Sequence, residues 1–359
     1  MTEREAVVVR IATHRTVDKG GLEALLRRRA REIGLVGFGI SRSRAYRNVK
    51  LMLAERDVLG YRDDMQFTYR NPSRSTSCDS VLPQAKSVVT AGLYYGDNQD
   101  DNFGSSVIAR YAKFDAYDEL RRNLAELAQL LRDEGYQAKV VLDSNAMVDK
   151  EAALRAGSGT YMKNSLISIP RYGTMVVLGN IVTDAKLGTS PRQLRLVGCG
   201  SCVLCVSACP TGAILDGGVI DARRCIAWVL QRPGAIPVEL RSAIGTRVYG
   251  CDTCQDVCPY NRHAMPNSPS QEAVIDDLLA ILTMTDDELI LGFSHLYIHK
   301  RDPAIIRRNA LVALGNVRWT NDGDWAGIRD VLEKYLGSND PVLAEQAAFS
   351  LAKHRAPTK

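Results

Sequence analysis

The run Cys199-Gly-Ser-Cys202-Val-Leu-Cys205-Val-Ser-Ala-Cys209-Pro210 places four cysteines on one short loop. Two-residue gaps set the first three thiolates against one group of irons. The longer gap aims the fourth toward a second cluster, as in two-cluster ferredoxins, and the proline keeps the loop from continuing as helix. Downstream stand Cys225 and Cys251-Asp-Thr-Cys254-Gln-Asp-Val-Cys258-Pro259. This is the same motif with its first member moved upstream by an insertion. Crossing the last cysteines gives one [4Fe–4S] cluster on Cys199, Cys202, Cys205 and Cys258, and a second on Cys209, Cys225, Cys251 and Cys254.

Paired Cys-x-x-Cys elements also build zinc ribbons, but zinc requires neither the three-cysteine run nor the Cys-Pro endings. Cys78 stands alone in a polar segment and reads as a plain thiol. His14, His263, His295, His299 and His354 form no metal-ligand spacing. Two clusters relay single electrons without choosing a substrate, so the chemical centre lies elsewhere in the chain.

The remaining composition is that of an ordinary globular protein, with 45% hydrophobic and 24% charged residues and a formal charge of +5 over 359 residues. This length suits two or three domains. The mild basicity is compatible with a polyanionic partner and equally with a solvated surface. No apolar run approaches the ~18 residues that cross a bilayer. Met1–Arg15 lacks a signal-peptide core, and Arg27-Arg28-Arg29 lacks the apolar segment of a twin-arginine signal. The expected location is the cytoplasm, where nine cysteines argue for metal and against disulfides.

Periodicity predicts a helix over 21–33 stopped by Gly34, a strand over Leu35–Ile40 and another over Ser87–Tyr95. Tyr117–Glu134 is the clearest amphipathic helix, with Leu120, Leu124, Leu127, Leu130 and Leu131 on one stripe and Gly135 as its stop. A short strand, Lys139–Leu142, ends at Asp143. A helix near Lys150–Ala156 and apolar runs Leu166–Pro170 and Thr174–Val182 complete an α/β or α+β unit. Pro266–Glu272 reads as a linker. Asp302-Pro303 and Asp340-Pro341 open two helices 38 positions apart, with aspartate as N-cap and proline at the first turn. The offset pairs Ala310 with Ala348 and Leu311 with Phe349, close to a HEAT period; two unrelated capped helices are the alternative.

The stretch Ile244-Gly-Thr-Arg-Val-Tyr-Gly-Cys-Asp-Thr-Cys-Gln-Asp-Val-Cys-Pro-Tyr-Asn-Arg262 resembles the second cluster motif of epoxyqueuosine reductases, as does Arg224-Cys225-Ile226-Ala227. The resemblance extends over Leu82-Pro-Gln-Ala-Lys-Ser-Val-Val89, Ala109-Arg-Tyr-Ala112, Val141-Leu-Asp-Ser144, Gly157-x-Gly159, Lys163-Asn164, Tyr172-Gly173 and Arg308-Asn309-Ala310-Leu-Val-Ala-Leu-Gly315. It implies an N-terminal α/β cobalamin-binding domain over 1–190, a ferredoxin-like double-cluster domain over 191–265, and a linker with HEAT-like helices over 266–359. The implied reaction converts epoxyqueuosine to queuosine at the wobble position of tRNA, with electrons passing through two [4Fe–4S] clusters to cobalamin. The implied partners are the tRNA anticodon stem-loop and a low-potential donor such as ferredoxin or flavodoxin. The chain is expected to act as a monomer, away from membranes.

Asp143 stands where this family places its general acid. Read from the residues alone, it ends an apolar strand, where ligand crevices often open, but Ser144-Asn145 behind it also suits a turn aspartate. The resemblance favours the acid. It also implies cobalamin contacts from Arg74, Asp143, Lys163, Asn164, Ser165 and Ile167. Ala146, Thr160-Tyr161-Met162 and Ala116-Tyr117-Asp118 depart from the common family pattern around this expected pocket. Two other classes fit part of the pattern: a related cobalamin and iron–sulfur reductase acting on a small or halogenated molecule, and a non-enzymatic electron carrier. The second leaves the long segment before the clusters without a purpose. Arg301, Arg307, Arg308 and Arg318 are candidates to meet tRNA phosphates.

Overall fold

The computed structural model describes residues 19–97, 104–190, 198–264, 269–318 and 322–355. The Met1–Arg15 segment and positions 266–268 of the expected linker lie outside them. Chain order begins with α1 (Lys19–Glu32), β1 (Val36–Arg42), α2 (Arg47–Val58), α3 (Pro72–Ser75) and β2 (Ser87–Tyr94). It continues with α4 (Ala116–Asp133), β3 (Ala138–Leu142), α5 (Asp149–Arg155), the ribbon strands β4 (Thr160–Tyr161) and β5 (Ile167–Ser168), and β6 (Val176–Thr183).

Four strands form one sheet in the order β1-β2-β6-β3, and every neighbouring pair is antiparallel. That places this part of the chain with the α+β folds, of the two classes its sequence allowed. Successive strand residues point to opposite faces. Val89 and Ile181 accordingly meet Leu26, Leu120, Leu124, Leu127 and Leu131 on one side, while Val88 and Val182 meet Tyr46, Leu82, Val141 and Met147 on the other. With both faces covered, β2 and β6 read as continuous apolar runs instead of alternating ones.

The leucine stripe of α4 is what holds that helix to the sheet; all four of Leu120, Leu124, Leu127 and Leu131 are fully buried. Each contributes about 1.5–3 kcal/mol by leaving water. Asp115 caps its first turn by accepting the Asp118 N–H at 2.8 Å, and Gly135, at φ +84°, ends it. The approach to the sheet is close enough that a Cβ on Gly179 would sit 2.5 Å from Leu124 Cδ1. In the sheet interior, Thr90 and Asn180 are register partners, and the threonine hydroxyl donates to Asn180 Oδ1 at 2.7 Å.

The described part of the cysteine-bearing segment carries short α-helices: α6 (Leu204–Ala208), α7 (Ile226–Val229), α8 (Val238–Ile244) and α9 (Thr253–Asp256). Buried polar contacts fasten it to the sheet. Gln255 bonds Tyr95 and Thr174, Asn261 donates to Thr174 Oγ1 and accepts its N–H, and Arg110 donates to Asp256 at 2.6 Å. Gly173 makes this seam possible. It sits at φ +62°, and a Cβ there would lie 2.0 Å from Asn261 Oδ1.

The C-terminal part stacks α10 (Gln271–Thr283), α11 (Asp286–Gly292), α12 (Pro303–Leu314), α13 (Asp322–Leu336) and α14 (Pro341–Arg355). Asp302 and Asp340 cap α12 and α14 at 2.9 and 2.8 Å, as their sequences suggest. The 38-residue offset does not carry over to packing, however. Ala310 is fully buried whereas Ala348 is exposed, and Ala347 takes the inward position in α14. The two helices touch through Ser350, whose hydroxyl donates to the Leu311 carbonyl at 2.8 Å.

The candidate phosphate-binding arginines are mostly committed elsewhere. Arg308 is 2% exposed. Its guanidinium donates to the carbonyls of Val229, Leu230, Arg232 and Gly234, at and beyond the C-terminus of α7. Burial without a carboxylate partner lowers its pKa to about 9. Arg307 is held by Asp286 and the Met284 carbonyl, and Arg301 by the carbonyls of Ile290, Ser294 and Leu296. Arg318 is exposed.

Arg308 therefore ties the helical tail to α7, whose N-cap residue is Cys225. Arg308→Met leaves several buried carbonyls without donors, each worth about 1–3 kcal/mol. The expected result is a melting midpoint lowered by several degrees, together with faster loss of iron to a chelator. Parallel melting and chelation curves of the variant and wild type check both.

Candidate active site

None of the cysteines is in a disulfide. The cluster-segment thiols fall into two adjoining groups. Burial is the strongest influence raising Cys205, Cys225, Cys254 and Cys258, and neighbouring thiols add to it: Cys199 and Cys258 at Cys205, Cys199 and Cys202 at Cys258, Cys251 and Cys209 at Cys225, and Cys251 and Cys225 at Cys254. Cys205 also acts on Cys254, so the groups are neighbours. Backbone N–H groups are already aimed at sulfur: Lys163 N–H to Cys199 Sγ at 3.2 Å and Ala213 N–H to Cys209 Sγ at 3.3 Å. At Cys209 burial raises the pKa, but hydrogen bonds from Thr211, Ala213 and Ile214 outweigh it and favour the thiolate form that iron requires.

A single zinc ion needs four sulfurs about 2.3 Å from one point. Among the described residues no three His, Cys, Asp or Glu side chains converge tightly enough to hold one metal ion. A four-iron cluster spreads its ligands because each thiolate takes its own iron, so this donor set fits a cluster.

Beside the second group opens a cavity of about 750 Å³, toward the upper end of small-molecule sites. Cys209, Cys225, Cys251 and Cys254 all line it, and so does Asp143. The remaining walls come from α2 (Met52, Leu53), from Tyr95, Tyr111 and Tyr117, and from Asn164, Ser165, Leu166 and Ile167. A large cofactor with an apolar face for these walls and polar groups at its rim fits this space next to the cysteines.

Asp143 follows the last residue of β3 and is held at φ +42°, an uncommon backbone state for a non-glycine residue. Its side chain is exposed to the open cavity. The protein packed around that cavity still raises its pKa by partial desolvation, and the Arg121 charge only partly opposes the rise. Burial likewise raises the pKa values of Tyr95, Tyr111 and Tyr117, so all three remain hydrogen-bond donors at neutral pH.

Of the residues expected to contact a cofactor, Asp143, Asn164, Ser165 and Ile167 share the cavity wall. Ser165, at φ +64°, hydrogen-bonds Tyr161 at 2.8 Å, and Asn164 Nδ2 reaches the Cys254 carbonyl at 3.5 Å. Lys163 points the other way, its ammonium donating to the carbonyls of Gly200 and Cys202 at 2.9 and 3.0 Å, around the first cysteine group. Arg74 is exposed in α3 and is not part of the wall. Cys78 is buried near the Tyr46 hydroxyl.

Sequence reasoning passed over Asp149, which also lines the cavity. Its carboxylate accepts from Asn180 Nδ2 at 2.6 Å. Burial, and then the nearby Asp143 charge, push its pKa up to about 8. At the start of α5 an aspartate reads as an ordinary helix-initiating residue. The one unusual signal was an asparagine inside the otherwise apolar run of β6.

Residues 198–261 match a family model described as a 4Fe-4S double cluster binding domain, and residues 76–149 match one described as Epoxyqueuosine reductase QueG, DUF1730. The epoxyqueuosine reductase of Bacillus subtilis (strain 168) is 31% identical over 338 residues, covering 90% of this chain and 85% of that protein. A crystal structure of an epoxyqueuosine reductase with an epoxyqueuosine-modified tRNA-Tyr stem loop superposes with a TM-score of 0.78 at 29% identity, covering 92% of this chain and 90% of that one. A Bacillus subtilis epoxyqueuosine reductase structure, described as having its catalytic aspartate loop swung out of the active site, also gives a TM-score of 0.78, at 28% identity over 94% of this chain and 91% of its own. With eight cysteines in two groups, a cavity against one of them and these matches along nearly its whole length, the chain belongs to the epoxyqueuosine reductase family.

Proposed function

We propose that this protein reduces epoxyqueuosine in tRNA to queuosine, in the cavity between Asp143 and the second cysteine group. The observation that carries this reading is the shared wall: an acid whose pKa is raised by its surroundings lines the same ligand-sized space as four cluster-binding cysteines. The ligand sets are Cys199, Cys202, Cys205 and Cys258 for the outer cluster, and Cys209, Cys225, Cys251 and Cys254 for the cluster at the cavity. The grouping of the thiols supports them.

Cobalamin, when bound, supplies a strongly reducing cobalt centre. Asn164, Ser165 and Ile167 would hold it, the apolar walls exclude water, and the Tyr117 hydroxyl offers a donor to its edge or to the substrate. Lys163 acts instead on the outer cluster, steadying the Gly200–Cys202 loop. Asp143 remains protonated to higher pH than an ordinary carboxyl and can give that proton to the oxygen released as the epoxide opens.

We assign the cofactor domain to 1–190, the cluster domain to 191–265 and the helical, HEAT-like tail to 266–359. In this reading Arg308 locks the tail onto the cluster domain, and Arg301 and Arg318 are the exposed ones of the four candidate arginines, open to tRNA phosphate. A low-potential carrier such as ferredoxin or flavodoxin feeds the outer cluster, and the monomer works in the cytoplasm. Among the described residues no helix is long and apolar enough to cross a membrane.

Anaerobic protein supplied with cobalamin, a low-potential reductant and an epoxyqueuosine stem loop tests the reading. Mass analysis of the digested nucleosides is expected to show queuosine, one oxygen lighter than its precursor. Unchanged epoxyqueuosine from protein carrying cobalamin and full iron would refute it.

A further inference from the structure

Removing an epoxide oxygen as water breaks two carbon–oxygen bonds and leaves a carbon–carbon double bond. The balance requires two electrons, which the clusters deliver, and two protons. Asp143 carries one proton at a time. Behind it the sheet presents a polar chain: Thr90 donates to Asn180 at 2.7 Å, and Asn180 to Asp149 at 2.6 Å. Asp149 in turn accepts the backbone N–H of Asp143, and both carboxyls face the same cavity.

We propose that Asp149 is the second acid of this site, a proton reserve that restores the proton Asp143 gives up between the two protonations. The inference rests on the epoxide-reducing function argued above. Asp149 acts through Asp143 and need not touch the substrate. The groups facing it suit that task. The Asp143 carboxyl stands at the end of β3, the Tyr117 phenol on α4, Asn180 on β6 and Lys150 on its own helix. Glu151 on the same helix is paired with Arg155 at 2.6 Å, and Arg121 of α4 acts on Asp143. Burial and the adjacent carboxyl keep Asp149 protonated up to about pH 8. Asn180 and the Asp143 N–H fix its orientation, and the cavity offers a route for reprotonation once product leaves.

Asp149→Asn and Asp149→Glu, made in the full chain with its clusters, test the proposal. Asparagine keeps an oxygen for the Asp143 N–H but carries no titrating proton, whereas glutamate keeps the proton. The first readout needs neither cobalamin nor substrate. Infrared difference spectra of wild type are expected to show a protonated carboxyl titrating near pH 8, a band absent from Asp149→Asn. In the second, single-turnover conversion of the epoxyqueuosine stem loop is expected to slow about 100-fold in Asp149→Asn, within the range of a lost acid. Its alkaline limb should also move to lower pH, where Asp143 alone sets it, and Asp149→Glu should retain most of the rate.

A band that survives in Asp149→Asn overturns the proposal, as does an Asp149→Asn rate and pH profile equal to wild type. Wild type that converts no epoxyqueuosine overturns the functional reading instead, and the infrared arm still decides whether Asp149 holds the proton.

Discussion

Cys254→Ser is expected to abolish turnover while leaving the outer cluster in place. Cys254 belongs to the thiol group that lines the cavity, and its carbonyl meets Asn164 on the cofactor wall. A serine hydroxyl is a far poorer iron ligand than a thiolate, because it does not ionise near neutral pH. Iron per chain should fall by about half, the share of one of two four-iron clusters. Stem-loop conversion should then drop below detection under any reductant that must pass through that cluster. Cys202→Ser offers the matching control. It damages the cluster farther from the cavity, so a small, strongly reducing chemical donor should still drive conversion, whereas a protein donor should not. Iron analysis with single-turnover assays under both donors reads these outcomes. Equal sensitivity of both variants to both donors would place the clusters in some other order.

Asp143→Ala should lower conversion by about 10²- to 10⁴-fold, the span of a lost general acid. Iron content is expected to stay at the wild-type level, because Asp143 belongs to neither thiol group. Asp143→Asn should be nearly as slow, since it preserves shape without supplying the proton. The pH dependence follows from the direction of the shift. A carboxyl with a raised pKa donates while protonated, so conversion that depends on Asp143 should decline as pH rises, at a higher pH than an ordinary carboxyl would set. The residual rate of Asp143→Ala should lose that decline. Stability follows the same sign. Asp149 binds its proton more tightly folded than unfolded, so its contribution weakens as pH rises from about 4, the ordinary carboxyl range, to about 8. An Asp149→Asn melting series should be flatter across that window.

What could be read directly from the chain was the chemistry that lies close together in sequence. Cysteine spacing within 199–209 and 251–258 is local, and so are the leucine stripe of α4 and the Asp-Pro starts of α12 and α14. The antiparallel strand order was not legible, because strands covered on both faces carry continuous apolar runs that parallel sheets also show. The cavity drew its walls from α2, from the ends of β2 and β3, from the 164–167 loop and from both cysteine-bearing stretches. No single segment announces such a space. Arg308 looked like a surface cation because arginine usually is one. Its role comes from four carbonyls supplied by a segment more than seventy positions away. Asp149 stayed hidden for a related reason: a helix-starting aspartate is commonplace, and only Asn180 beneath it and Asp143 beside it make it unusual.

The arrangement also explains why the helical tail and the cluster segment act as one support. Asn309 donates to the carbonyls of Leu230 and Val248 at 2.7 and 2.8 Å, next to the Arg308 contacts. Cys225 and Cys251 flank those anchor points in sequence. A cluster that passes single electrons benefits from ligands that do not shift between redox states, and the buried Arg308-Asn309 pair supplies that rigidity from outside the segment.

Electron paramagnetic resonance of the reduced, cobalamin-loaded protein addresses the heart of the account, that one cubane sits directly against the cofactor space. Partial reduction should give a paramagnetic cluster whose signal broadens or splits when Co(II) cobalamin is bound, and this coupling should vanish in Cys254→Ser while persisting in Cys202→Ser. Independent, unperturbed cluster and cobalt spectra, or preparations holding zinc in place of iron, would contradict it.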